Sequence, residues 1–135
     1  MEDRTVSFRL SPVSSAGGLS CAEARDRSRG ALAGLELGAQ RREDVLTVVS
    51  ELVANARSHA GGVTGFDVVV RSGAVIVEVS DRSPRLPRTR PWAPGLPGGF
   101  GWRLVNQLAD HTRVRFRHGH KTVSAAFTTG RAKPR

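Results

Sequence analysis

Apolar residues along this chain recur with two different periods, and each period predicts one kind of secondary structure. Some segments alternate apolar with polar residues, as strands do when one face is buried. Others place apolar residues at every third or fourth position, which is typical of a helix that buries one side. The predicted elements are, in order, a strand at 5–10, helices at 16–37 and 45–56, strands at 66–71 and 74–80, a helix that follows the glycines of 98–101 and reaches 109, and strands at 113–117 and 121–127.

Residues 82–98 interrupt this regular pattern. They contain five prolines, which lack a backbone N–H and cannot continue a helix or a central strand. A loop of this length in a small domain usually has a function, often as a lid over a site, or is disordered. We interpret it as a lid, expect the basic residues 129–135 to be a frayed tail, and expect residues 1–135 to form a single domain.

The composition is that of a globular protein. Hydrophobic residues make up 39% of the 135 residues, which is enough for one core. No apolar run approaches the roughly 18 residues of a membrane span, and the first residues lack the order of a signal peptide. We therefore expect a soluble cytoplasmic protein without a membrane partner. Cys21 is the only cysteine, which excludes an internal disulfide and a cysteine-based metal cage, and we expect it to be a buried structural thiol.

The net charge of +9 favours an acidic partner, a polyphosphate or a nucleic acid. Aromatic residues make up only 5% of the chain, tyrosine is absent and no recognition motif is present, so nucleic acid ranks last among these. Arg113, Arg115 and Arg117 share one face of a predicted strand. They are either a basic stripe or the ordinary polar side of a sheet.

Three groups with useful chemistry follow one another along the chain. Glu51 and Asn55 lie four positions apart on a predicted helix and therefore project from the same face. A carboxylate can accept a proton, and an amide oxygen can bind a hard cation. Asp81 ends a predicted strand, and glycines 98–101 open a helix, where backbone N–H groups can approach a phosphate. Each feature alone also fits a solvated helix residue or an ordinary turn.

In this order, the motifs resemble the nucleotide-binding fold shared by gyrase-type ATPases and histidine kinases, the GHKL superfamily. The resemblance extends over most of the chain and is carried by ELVANARSHA, VEVSDRSPRLP, GGFGWRLVNQLAD and GHKTVSAAF. More narrowly, the chain is similar to the small bacterial anti-sigma factor serine/threonine kinases of stress and sporulation switches. The resemblance implies a two-layer α/β sandwich of the Bergerat type, with a mostly antiparallel mixed sheet and helices on one face.

The resemblance also implies roles for the polar residues of the first two motifs. Glu51 matches the acid that activates the attacking group, and Asn55 matches the residue whose side-chain oxygen binds Mg²⁺. Asp81 matches the aspartate that accepts a hydrogen bond from the adenine amino group of ATP. The two glycines that usually follow this aspartate are missing, because the chain reads Asp-Arg-Ser-Pro-Arg over residues 81–85.

The last two motifs supply the remaining candidates. Gly99 and Gly101 match the glycines after the lid, whose backbone approaches the phosphates. Thr122, together with Lys121, matches the polar step on the last strand near the nucleotide. Trp102 stands where a small aliphatic residue is more usual, and it either covers the purine or fills the core.

Two functions follow from the resemblance. The first is an ATP-dependent, Mg²⁺-dependent serine/threonine kinase that phosphorylates an anti-sigma antagonist of the STAS fold, sequesters a sigma factor, or does both. The second is an ATP-binding interaction module with little or no phosphotransfer. The resemblance also allows a homodimer, because members of that family often dimerise.

Overall fold

The computed structural model describes residues 3–9, 18–59, 62–84, 86 and 101–129. Within these residues the elements are β1 Arg4–Arg9, α1 Cys21–Leu32, α2 Ala39–His59, β2 Gly65–Arg71, β3 Ala74–Asp81, α3 Gly101–Leu108, β4 His111–Arg117 and β5 His120–Thr128. The kind and order of the predicted elements are therefore confirmed. Among the described residues, no helix is both long and apolar enough to cross a bilayer.

The described strands form one sheet of five strands in the order β1-β2-β3-β5-β4. Every pairing between them is antiparallel, so the parallel pairing that a mixed sheet would contain does not occur in this part of the chain. Tight hairpins join β2 to β3 and β4 to β5, and strands joined by a tight hairpin are antiparallel. The predicted two-layer α+β fold, with helices packed on a sheet, is confirmed.

The helices cover one face of the sheet, with α2 between α1 and α3. α1 packs on β1 and β2, α2 on β3 and β5, and α3 on β4. In β2, β3 and β5 every second residue is buried on this face, as the period of two requires. The buried strand residues include Phe66, Val68, Val70, Val75, Val77, Val79, Val123, Ala125 and Phe127. They meet the apolar stripe of α2 in one core, which places the flanks of α2 at the edge of that core.

Helix α1 begins later than the sequence pattern predicts. Ser20 is its N-cap, with the Ser20 hydroxyl accepting a hydrogen bond from the Glu23 N–H. The Glu23 carboxylate in turn accepts from the Ser20 N–H, which lowers the pKa of Glu23 and completes a capping box. The predicted start at residue 16 is therefore wrong, because this local capping motif begins the helix at Cys21.

The exposure of Cys21 differs from the expectation. Cys21 is half-buried rather than buried, because it lies in the first turn of α1, where its sulfur is 3.6 Å from the Ser50 carbonyl oxygen of α2. His118 and His120 are exposed at the last hairpin. His118 and Gly119 both have positive φ, of 49° and 75°, as a tight turn between twisted strands requires.

A buried arginine holds α2 to the end of the sheet farthest from Asp81. Arg41 donates hydrogen bonds to the Leu108 carbonyl oxygen at 3.0 Å and to the Asp110 carboxylate. Its guanidinium lies 5.0 Å from the centre of the Phe127 ring. Asp110 also accepts a hydrogen bond from the Thr128 N–H at 2.7 Å. One cluster therefore joins the start of α2, the end of α3 and the end of β5.

We expect Arg41→Ala to lower the free energy of unfolding by about 3–5 kcal/mol, because it removes this buried cation from Asp110. Equilibrium urea unfolding measures the change. Arg29→Ala is the control. Arg29 pairs with Asp26 at the exposed surface, so this substitution should lower the free energy of unfolding by less than about 0.5 kcal/mol. Similar losses in the two variants would show that the Arg41 cluster does not stabilise the fold.

Candidate functional site

Helix α2 brings Glu51 and Asn55 to one of its flanks. Both side chains are half-buried, whereas Leu52, Val53 and Ala56 of the same turns are buried in the core. No described residue makes a hydrogen bond with the Glu51 or the Asn55 side chain. Two polar groups with hydrogen-bonding capacity therefore lie side by side at the edge of the core, where a ligand can reach them.

The Glu51 carboxylate lies against the first residue of α3. A Cβ added to Gly101 would be only 2.8 Å from Glu51 Oε2, closer than real contacts allow. Burial raises the pKa of Glu51, because it disfavours the charged form. A carboxylate with a raised pKa is a stronger base, which suits proton abstraction near neutral pH.

Asp81 forms a buried ion pair with Lys121. The two residues are register partners across β3 and β5, and Asp81 Oδ2 is 3.5 Å from Lys121 Nζ. Their side chains are only 3% and 2% exposed. Both continue the buried rows of their strands, so they lie on the face that the helices cover. The structure thus brings Asp81 and Lys121 together on the same side of the sheet as α2.

A turn of residues 81–83 occupies the place of the first missing glycine. The Ser83 N–H donates a 2.7 Å hydrogen bond to Asp81 Oδ1, as in an Asx turn, and Ser83 is buried. None of Arg82, Ser83 and Pro84 has a positive φ. The backbone therefore needs no glycine at position 83, and the Asp81 carboxylate is oriented by its own turn.

The chain that carries Glu51, Asn55 and Asp81 matches a known family of proteins over most of its length. A model of the histidine kinase-like ATPase domain matches residues 18–127. The chain belongs to this family. It is therefore a GHKL-type ATP-binding domain, as the sequence motifs predict. No curated protein matches the chain in sequence.

Thr122 does not join the other candidates of this ATPase domain. Its hydroxyl is 2.8 Å from the Ser80 hydroxyl, and both residues lie on the face of the sheet opposite the helices. Lys121, one position earlier, lies on the helix-covered face. Of the two polar residues predicted on the last strand, only Lys121 is therefore on the same side as Asp81, Glu51 and Asn55. The sequence signal that separates the two faces is the apolar row of Val123 and Ala125, which are both buried.

The remaining predictions for the ATPase domain concern the lid, the tail and Trp102. Gly99 and most of the predicted lid lie outside the described residues, as do residues 130–135 of the predicted tail. Thr129, the first tail residue, donates a 3.1 Å hydrogen bond to the Gly73 carbonyl oxygen. Trp102 is half-buried and packs against the core, which favours the core-filling interpretation.

We expect Gly101→Ala to lower ATP turnover by about 100-fold without loss of thermal stability, because the new methyl group must displace the Glu51 carboxylate. Turnover assays and thermal unfolding test the two parts. Gly30→Ala is the matched control, since Gly30 also lies in a helix and nothing is within 4 Å of its added Cβ. Equal turnover in both variants would show that Gly101 does not position Glu51.

The raised pKa of Glu51 predicts how stability depends on pH. The folded state favours protonated Glu51, so charged Glu51 is a cost to folding that fades as the pH falls through the folded pKa toward the ordinary value of 4.5. Glu51→Gln should therefore be more stable than the wild type at neutral pH, and the advantage should fade toward pH 4.5. Urea unfolding across this range measures it. Glu43→Gln, an exposed change on the same helix, should bring no such gain.

Proposed function

We propose that this ATPase domain is a serine/threonine protein kinase of the anti-sigma factor type. It transfers the γ-phosphoryl group of ATP to a hydroxyl of a STAS-fold antagonist, and it also holds a sigma factor inactive. One observation carries the proposal: the half-buried Glu51 carboxylate, with its raised pKa, lies against the start of α3 and beside Asn55. A domain that only binds ATP has no need for such a base.

In the transfer step, Glu51 accepts the proton of the substrate hydroxyl. The hydroxyl oxygen forms a bond to the γ-phosphorus, and the bond from this phosphorus to the β–γ bridging oxygen breaks. The electron pair of that bond leaves on ADP. Positioning and charge stabilisation dominate such a reaction, so a base that lies between α2 and α3 serves it.

Asn55 suits Mg²⁺, because its amide oxygen is a hard ligand at the same edge of the core as Glu51. The described residues contain no group of three His, Cys, Asp or Glu side chains that could hold a metal. A magnesium ion here would take its other ligands from ATP phosphates and water, as is common for this ion. When bound, Mg²⁺ neutralises the phosphate charge.

The nucleotide base is read at the other end of the site. Asp81 is buried on the helix-covered face and accepts a hydrogen bond from the adenine amino group. We extend the proposal to a cytoplasmic location and to a protein partner of acidic surface, which the net charge of +9 would attract. A homodimer belongs to the same proposal.

The alternative is an ATP-binding interaction module with little phosphotransfer. The replacement of the two usual glycines by Ser83 and Arg85 favours this alternative, since it alters the loop after the base-reading aspartate. The two functions differ in one observable quantity, which is phosphate transferred to protein at saturating ATP.

We expect Glu51→Gln to keep ATP affinity and to lose at least about 100-fold in phosphotransfer, because the amide cannot accept the proton. Asn55→Ala should abolish Mg²⁺-dependent ATP binding while the fold remains intact. Calorimetric titration measures binding, and γ-phosphate-labelled ATP with purified STAS domains measures transfer. Gln107→Ala, an exposed amide on α3, is the control for loss of an amide.

The outcomes separate the two functions. Binding without transfer in the wild type would favour the interaction module. Full transfer by Glu51→Gln would show that Glu51 is not the base. Normal Mg²⁺-ATP binding by Asn55→Ala would contradict the proposed metal ligand.

A further inference from the structure

The ion pair between Asp81 and Lys121 is not explained by stability. Both side chains are buried at the end of a row that is otherwise apolar, formed on β3 by Val75, Val77 and Val79. Removing two charges from water costs about as much as their attraction returns, and an apolar pair is often as stable or more stable. The pair therefore needs a reason other than packing.

The chemistry of the pair is complementary to one edge of adenine. A carboxylate only accepts hydrogen bonds, and an ammonium group only donates them. Asp81 Oδ2 and Lys121 Nζ are 3.5 Å apart, so an acceptor and a donor lie side by side. On its Watson–Crick edge, adenine has the 6-amino donor next to the N1 acceptor, and proteins read bases by hydrogen bonds to this edge.

The orientation of the carboxylate is fixed by the chain itself. The Ser83 N–H donates to Asp81 Oδ1, while Oδ2 faces Lys121. Lys121 lies in register with Asp81 on the neighbouring strand, which sets the separation of the two groups. An ammonium group has three N–H donors, so it can contact Asp81 and a base at the same time.

We propose that Lys121 is a second base-reading residue, whose ammonium group donates a hydrogen bond to adenine N1 while Asp81 accepts from the 6-amino group. This inference rests on the proposed binding of ATP at Asp81. In this arrangement the protein contacts two neighbouring groups of the base directly, the 6-amino group and N1. It also gives the buried ion pair a function, because the ligand would meet a donor and an acceptor that are already oriented.

The test compares ATP with two analogues on the unaltered chain in the presence of Mg²⁺. In 1-deaza-ATP a C–H group replaces N1, and in 3-deaza-ATP a C–H group replaces N3. We expect 1-deaza-ATP to bind about 10- to 100-fold more weakly than ATP, the usual effect of losing a hydrogen bond to a charged group. The control, 3-deaza-ATP, should bind within about threefold of ATP.

The variant Lys121→Met tests whether the hydrogen bond to adenine N1 comes from Lys121. This variant should bind ATP more weakly and distinguish ATP from 1-deaza-ATP by less than about threefold. Thermal unfolding checks that it folds, since it leaves the Asp81 carboxylate buried without its cation. The comparison of analogues on the unaltered chain decides whether N1 is read even where the variant does not fold.

Each outcome has a distinct meaning. Equal affinity of the wild type for ATP and 1-deaza-ATP would overturn the inference and leave the proposed function intact. If Lys121→Met bound 1-deaza-ATP more weakly than ATP by the same factor as the wild type, another donor would contact N1, and this result would also overturn the inference. Failure of the wild type to bind ATP at all would overturn both the inference and the proposed function.

Discussion

One face of α2 packs against the sheet between α1 and α3, and this contact determines where the candidate groups lie. Burial of Val49, Leu52, Val53 and Ala56 fixes the rotation of the helix. With that rotation fixed, Glu51 and Asn55 can only lie at the edge of the core. The sheet supplies the other half of the site, because the period of two places Asp81 and Lys121 on the same side as α2. A change that rotated α2 would separate these groups without touching any of them.

The positive charge of the chain has a structural role that composition alone does not reveal. Several arginines donate hydrogen bonds to carbonyl oxygens near helix ends, including Arg42 to Leu32 and Arg57 to Leu19. In the strand that carries three arginines, Arg115 pairs with Glu78 at 2.7 Å. Several of the arginines therefore make contacts within the fold, and their excess in the composition does not by itself indicate a nucleic-acid surface.

The fold could be predicted from sequence, because every strand and helix has one buried side and the apolar period records it. The hairpin of β2 and β3 and the long helix α2 are the clearest cases. The start of α1 could not be predicted from that period, since a local hydrogen bond at Ser20 decides it. The contact of Glu51 with Gly101 has no signal in one sequence, because it depends on packing between elements distant in the chain. Thr122 lies on the opposite face from Lys121, because a shift of one residue along a strand changes the face.

Helix α3 is held very differently at its two ends. Its last turn is held where Arg41 donates to the Leu108 carbonyl oxygen and to the neighbouring Asp110, whereas at its start Gly101 lies against the Glu51 carboxylate and Trp102 packs against the core. At 1.5 Å per residue this helix is a rod about 12 Å long. A rod hinged at one end turns small angles into large displacements at the other, and a tilt of about 10° would move Gly101 by about 2 Å. The Arg41 cluster thus sets, from the opposite end of this rod, where the backbone beside Glu51 lies.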